Sequence, residues 1–210
     1  MPDSTTIRST LVEYAGERMG LGRRIKALRG EFPPFDEMVG VALIQSNSAK
    51  ATQDPDTLKL AYEAWERVPL HPEFEQCDQE MQAGCFSAAG QLRLLHAAVT
   101  PNTTKEEIDS ALALLVEGTS RTVKGSPDAP ARMHYVGEAF ALRYGLTDDP
   151  DDLDRSIECL ELALDPGLPG PEDRTLTEEM LAAALQQRFE ARGRNEDRDR
   201  AIGLLGGKAG

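Results

Sequence analysis

The chain has 210 residues and 40% hydrophobic content, enough for one domain or one compact helical array. Its aromatic share is only 5%, and its apolar set is dominated by alanine and leucine, which suits close helix interfaces better than a β-sandwich. A net charge of -13 opposes binding to nucleic acid or anionic lipid, since most of the surface would repel either partner.

Cysteines 77, 85 and 159 are odd in number and lack CxxC spacing, so neither a disulfide framework nor a zinc site is expected. The N-terminus has no apolar signal run and no long apolar stretch follows, so a reduced, cytoplasmic protein without a membrane span is expected.

Residues 1–35 read as a basic helix, near 5–29, followed by a linker. Arg8, Arg18, Arg23, Arg24, Lys26 and Arg29 face only Asp3, Glu13 and Glu17 there. This segment could dock on the acidic remainder of the chain.

From residue 36 the sequence repeats. "RYGLTDDPDDLDRSI" at 143–157 returns as "RFEARGRNEDRDRAI" at 188–202, and earlier counterparts begin at Asp54 and Thr104. Four repeats follow, approximately 36–70, 71–120, 127–165 and 172–208. Each contains an A helix with small residues in an apolar stripe ("VGVAL" at 39–43, "VGEAF" at 136–140, "LAAAL" at 181–185), with a weaker counterpart around "SAAGQLRLL" at 87–95. A B helix follows each, with apolar residues at helical spacing, as in Ile108, Ala111, Leu112 and Leu115 or Leu153, Ile157, Leu160 and Leu164.

The B helices have matching start signals. Asp54, Thr104 and Asp149 suit N-caps, Pro55 and Pro150 suit the first helical position, and Thr104 with Glu107 suits a capping box. The fourth copy has Arg194 at the cap position, so Asn195 is expected to cap one residue late. A second capping box is expected at Thr175 and Glu178, after the breaker-rich "DPGLPGPEDRT" at 165–175. The expected fold is all-α, a right-handed superhelical array of antiparallel helix pairs with about nine helices.

The stretch "LAAALQQRFEARGRNEDRDRAIGLL" resembles the divergent tetratricopeptide-type repeats of actinobacterial and fungal signalling proteins. The resemblance is good over 133–206, moderate over 36–70 and weak over 76–117. It implies a binding superhelix and not a catalyst, of the kind often attached to a caspase-like protease or an NTPase module. The repeat of 45 to 50 residues is longer than the standard 34, and the last B helix runs into "GLLGGKAG".

No phosphate loop, HExxH or GxSxG occurs, and "GLG" at 20–22 follows no strand pattern. Cys85 with His96 or His134 is the one conceivable nucleophile pair, against the plainer reading of a buried core thiol. Asp148, Asp149, Asp151, Asp152 and Asp154 lack the glycine and glutamate of a calcium loop and read as helix-start chemistry. No cofactor and no metal are expected.

If the A helices line a concave groove, the residues off their apolar stripe become candidate contacts: Gln45, Gln91, Arg93, His96, Arg143, Gln187 and Arg188. Arg143 and Arg188 are equivalent across the 45-residue shift and also suit structural anchoring at a helix end. The expected partner is a protein or peptide. The alternatives are a small-molecule sensor or small helical enzyme that uses the groove as a pocket, with Arg93, His96 and Arg143 as polar anchors, and self-association through the degenerate terminal repeat.

Overall fold

The structure, a computed structural model, describes residues 32–165 and 174–206. Eight α-helices and two short 3-10 turns account for most of them, and the described residues include no strand. The helix expected near 5–29 lies outside the described residues, as does most of the 165–175 connection.

The chain divides into two compact units, Met1–Val123 and Lys124–Gly210. The first contains α1 (Phe35–Thr52), α2 (Pro55–Arg67), the 3-10 turns Val68–Leu70 and Phe74–Gln76, α3 (Gln79–Val99) and α4 (Lys105–Arg121). The second contains α5 (Ala129–Thr147), α6 (Pro150–Ala163), α7 (Arg174–Arg192) and α8 (Asn195–Gly206).

Three of the four joints within pairs are built alike. Gln53, Asp148 and Gly193 adopt the left-handed conformation, with φ of 51°, 53° and 68°. Their N–H groups donate back to the carbonyls of Ala49, Tyr144 and Phe189 at 2.8, 2.8 and 2.7 Å, a helix stop of the αL type. Thr52 and Thr147 brace two of these joints. Their hydroxyls donate to the carbonyls of Ser48 and Arg143 and accept from the N–H groups of Asp54 and Asp149.

The next helix then starts at once. Asp54 caps α2 by accepting from the Thr57 N–H at 3.0 Å, and Asp149 accepts from Asp151 at 3.1 Å. The α3–α4 joint is longer, with Asn102 at φ 60°, and ends in the expected capping box of Thr104 and Glu107.

Two start signals fall elsewhere than expected. Asn195 is the first helical residue of α8 and not its cap; the register of the other copies is kept, although Arg194 has no side-chain acceptor. α7 is already helical at Arg174, so Thr175 lies in its first turn, where Arg174 Nε donates to Glu178 Oε1 at 2.9 Å.

Small residues set the spacing within pairs. A Cβ added at Gly137 would stand 2.8 Å from Leu160 Cγ and 3.2 Å from the Ser156 carbonyl, and one at Gly90 would stand 2.7 Å from Leu115 Cγ. Such distances leave no room for a methyl group, so these helices approach more closely than any side chain would permit. Gln82, Ser87 and Gly90 of α3 meet Arg121, Gly118 and Leu115 of α4 in that order, so the two helices run in opposite directions.

Gly90 and Gly137 are 47 residues apart, while Leu115 and Leu160 are 45 apart. The longer α3–α4 joint takes up the difference, which explains the weak match of the second A helix.

The core of the first unit joins Met38, Ala42, Leu58, Tyr62, Trp65, Phe74 and Leu92. That of the second joins Leu153, Ile157, Leu160, Leu181 and Leu185. Ile157 is 2% exposed beneath α7, whereas its counterpart Ile202 on α8 is 62% exposed.

Gly118 and Gly40 make a matched test. A Cβ at Gly118 would meet backbone at 2.9 Å (Ala83 O and Ser87 N), while one at Gly40 meets nothing within 4 Å. Gly118→Ala is expected to lower stability by about 1–3 kcal/mol through overpacking. Gly40→Ala is expected to raise it by up to about 1 kcal/mol through helix propensity. Urea unfolding midpoints at constant m-value measure both.

Candidate partner-binding cleft

A cleft of about 910 Å³ runs along α2 in the first unit. Its floor is one face of α3, where Cys85, Phe86, Ala89, His96 and Thr100 recur at helical spacing. One wall is α2, with Lys59, Tyr62, Glu63, Glu66 and Arg67; the other is α4, with Glu107, Leu114, Glu117 and Arg121. Leu70, Phe74 and Glu75 bound one end, and Val41 and Gln45 of α1 line its margin.

α2 borders the cleft with Tyr62 and Trp65 of its buried side and with its charged outer side. Leu58, Ala61, Tyr62 and Trp65 are buried, which leaves Asp56, Lys59, Leu60, Glu63 and Arg67 as an outer ridge at helical spacing. Leu60, apolar and 57% exposed, stands within this charged ridge.

Two aromatic rings of the cleft, Tyr62 of α2 and Phe86 of α3, each carry a guanidinium. Arg93 Nε donates to Glu66 Oε1 at 2.7 Å while its Cζ lies 4.5 Å from the Tyr62 centroid. Arg121 donates to Glu117 Oε1 at 2.6 Å and to Gln82, and lies 5.0 Å from the Phe86 centroid. These pairs combine ionic and cation–π attraction in partly desolvated surroundings.

His96 meets Tyr62 edge-on at 5.5 Å, and its Nε2 lies 3.4 Å from the Thr100 hydroxyl. Burial holds its pKa below the usual histidine value; Glu107 opposes the shift, Arg93 and Lys59 add to it, and Asp56 opposes it more weakly. The ring is therefore neutral at neutral pH.

The Cys85–His96 pair is not assembled as a nucleophile and base. Burial pushes the Cys85 thiol up to about 12, so it stays protonated and poorly nucleophilic. His96 lies eleven residues further along the same helix, about 16 Å in axial rise. His134, in the second unit, is hydrogen-bonded through Nδ1 to the Thr177 hydroxyl at 3.0 Å.

Of the seven residues expected to contact a partner, Gln45 and His96 line the cleft. Gln45 is half-buried and its Oε1 has no hydrogen-bond partner among the described residues. Arg93 is 4% exposed and held inward by Glu66 and Tyr62. Gln91 is half-buried outside the cleft lining, and Gln187 is exposed on α7.

Arg143 and Arg188 are placed in clamps across their joints. Arg143 donates from Nε and Nη2 to the two carboxylate oxygens of Asp152 at 2.8 and 2.5 Å, and Arg188 does the same to Asp197 at 2.8 and 2.7 Å. Both aspartates are third residues of the following helix and are almost fully buried. There they also complement the helix N-terminus.

Arg188 reaches Asp154 of α6 as well, at 3.0 Å, where Arg192 joins it. Hydrogen bonds from Arg188 hold the Asp197 carboxyl below the usual aspartate range against the opposing effect of burial. At Asp154 burial pushes upward, but the bonds from Arg192 and Arg188 bring the net shift down.

The sequence reading placed candidate contacts on the A helices and missed the B-helix walls, Lys59, Glu63 and Arg67 on α2 with Glu107 and Arg121 on α4. The signal available for them was the apolar Leu60 amid charged residues on the outer face of α2.

No protein-family model, curated protein or solved structure matches the chain. Among the described residues no group of three His, Cys, Asp or Glu is placed to hold a metal ion, and no helix is long and apolar enough to cross a membrane.

Asp197→Ala is expected to cost about 3 kcal/mol at pH 7, because it leaves the partly buried Arg188 with one exposed partner, Asp154. The depressed pKa of Asp197 sets the pH dependence: its stabilisation is full above the unfolded-state value near ~3.9 and is lost as pH falls through the folded value. In denaturant titrations the stability gap between the two chains should narrow as pH falls from 7 to 2.5.

Proposed function

We propose that the chain is a non-catalytic helical-repeat scaffold that binds a protein or peptide segment. In this reading the four pairs are divergent tetratricopeptide-type repeats stacked as a right-handed superhelix, with a signalling or sensing role. The observation that supports it is the cleft along α2: elongated, open to solvent at Asp56, Lys59, Leu60 and Arg67, aromatic and apolar on its floor and charged on its walls.

This geometry suits a segment of chain better than a metabolite. A small-molecule site encloses most of its ligand and presents a few convergent polar groups. Here the strongest polar groups are satisfied by one another, Arg93 by Glu66 and Arg121 by Glu117. An extended or helical segment gains instead from many shallow contacts along a groove.

Selection of a random peptide library on the full chain tests the reading. Segments of about ten or more residues carrying apolar and basic side chains are expected. Their affinity should fall at least tenfold in a Leu60→Glu, Glu63→Arg variant, about 1.4 kcal/mol or more, with the unfolding midpoint unchanged because both positions lie on the outer ridge. Equal affinity for both chains, or thermal shifts confined to metabolites, would count against it.

His96 adds a pH signature. Protonation of His96 places a positive charge on the cleft floor, so affinity for a basic segment should weaken as pH falls below the ordinary histidine value. His96→Gln should flatten that dependence in fluorescence anisotropy.

A further inference from the structure

We propose that the chain binds a second copy of itself head to tail, with α8 of one copy seated on α1 of the next. The proposal goes beyond the segment-binding reading and does not depend on it.

The contact is already built once within the second unit. There Leu153, Ile157 and Leu160 of α6 share a core with Leu181, Ala182, Ala184 and Leu185 of α7, the helix that opens the following pair. The left-handed joint residues set the equivalences: Asp148 and Gly193 match α6 to α8 at a shift of 45 residues, and Gln53 and Gly193 match α1 to α7 at a shift of 140. Ile202 and Leu205 are then the counterparts of Ile157 and Leu160, and Val41 and Ile44 those of Leu181 and Ala184.

The four side chains of the internal contact are buried. Their counterparts are not: Val41 is 45% exposed, Ile44 71%, Ile202 62% and Leu205 52%. Among the described residues no helix pair precedes α1 and none follows α8, so each helix leaves open one half of a contact whose other half the second helix supplies. Covering these side chains removes apolar area from water, the main driving force of association.

The polar residues change in step. Leu153 and Leu185 of the internal core become Arg198 and Gln45 on the two open faces, a donor and an acceptor in matched places, and Gln45 Oε1 has no hydrogen-bond partner among the described residues. Asp154, which holds Arg188 and Arg192 of α7, has Asp199 as its counterpart, while Ser48 and Thr52 stand in place of the two arginines. The contact between copies therefore lacks these ion pairs and is mainly apolar. Each chain carries a net charge of -13, so copies repel at long range, and salt screens that repulsion. The two faces differ, which makes the contact heterologous, the kind that builds rings or open chains of copies.

Sedimentation velocity of the full chain and of two variants tests this. Ile44→Glu spoils the α1 face and Ile202→Glu the α8 face; both positions are exposed, and unchanged unfolding midpoints at low concentration verify that the variants fold. For the unchanged chain the average mass should rise above that of a monomer between roughly 10 µM and 1 mM, and rise further with added salt. Each variant alone should need at least tenfold higher concentration to associate. An equimolar mixture of the two should form heterodimers that grow no further, because only one intact pair of faces remains.

A chain that stays monomeric throughout, a variant that associates as well as the unchanged chain, a mixture that associates no better than its components, or association that salt abolishes would each overturn the proposal.

Discussion

Everything in the described structure depends on how closely the two helices of a pair approach. At Gly90 and Gly137 the space a methyl group would need is filled by Leu115 and Leu160, and Ala42 and Ala182 are buried in the corresponding stripes of α1 and α7. Glycine within a helix costs up to about 1 kcal/mol in propensity. That cost is offset where a leucine seats fully, since burying such a side chain contributes about 1.5–3 kcal/mol.

The joints within three of the four pairs are short, with a left-handed residue followed at once by a helix start at Gln53, Asp148 and Gly193. The Arg143–Asp152 and Arg188–Asp197 clamps then tie the end of one helix to the beginning of the next. The repeated acidic stretch thus supplies helix starts at Asp54 and Asp149 and the clamp acids Asp152 and Asp197.

Much of this was legible in the sequence because it is local. The helical class, the pairing of helices, the caps at Asp54, Thr104 and Asp149 and the small-residue stripes depend on spacing within a few turns. The two misplaced starts, Thr175 and Asn195, were read from side-chain preference, whereas backbone register put those residues inside the first turn. The cleft was less legible. Its walls come from α2 and α4 and its floor from α3, and a position such as Lys59 or Arg121 becomes a site residue only when the helices are packed. Arg143 and Arg188 show the converse: their recurrence was visible, but only the placement of Asp152 and Asp197 shows what they hold.

Trp65 offers the most direct test of the functional account. It is the sole tryptophan, it lines the cleft, and its indole N–H donates to the Ser46 hydroxyl of α1 at 2.7 Å. Its emission can be followed in the full chain while a peptide with an apolar stripe and basic flanks is titrated in, with binding monitored in parallel by anisotropy of a label on the peptide. The account predicts that emission changes saturably, with one-to-one stoichiometry and the same dissociation constant as the anisotropy. Anisotropy that saturates while Trp65 emission stays flat would contradict it, because the segment would then be bound elsewhere on the protein.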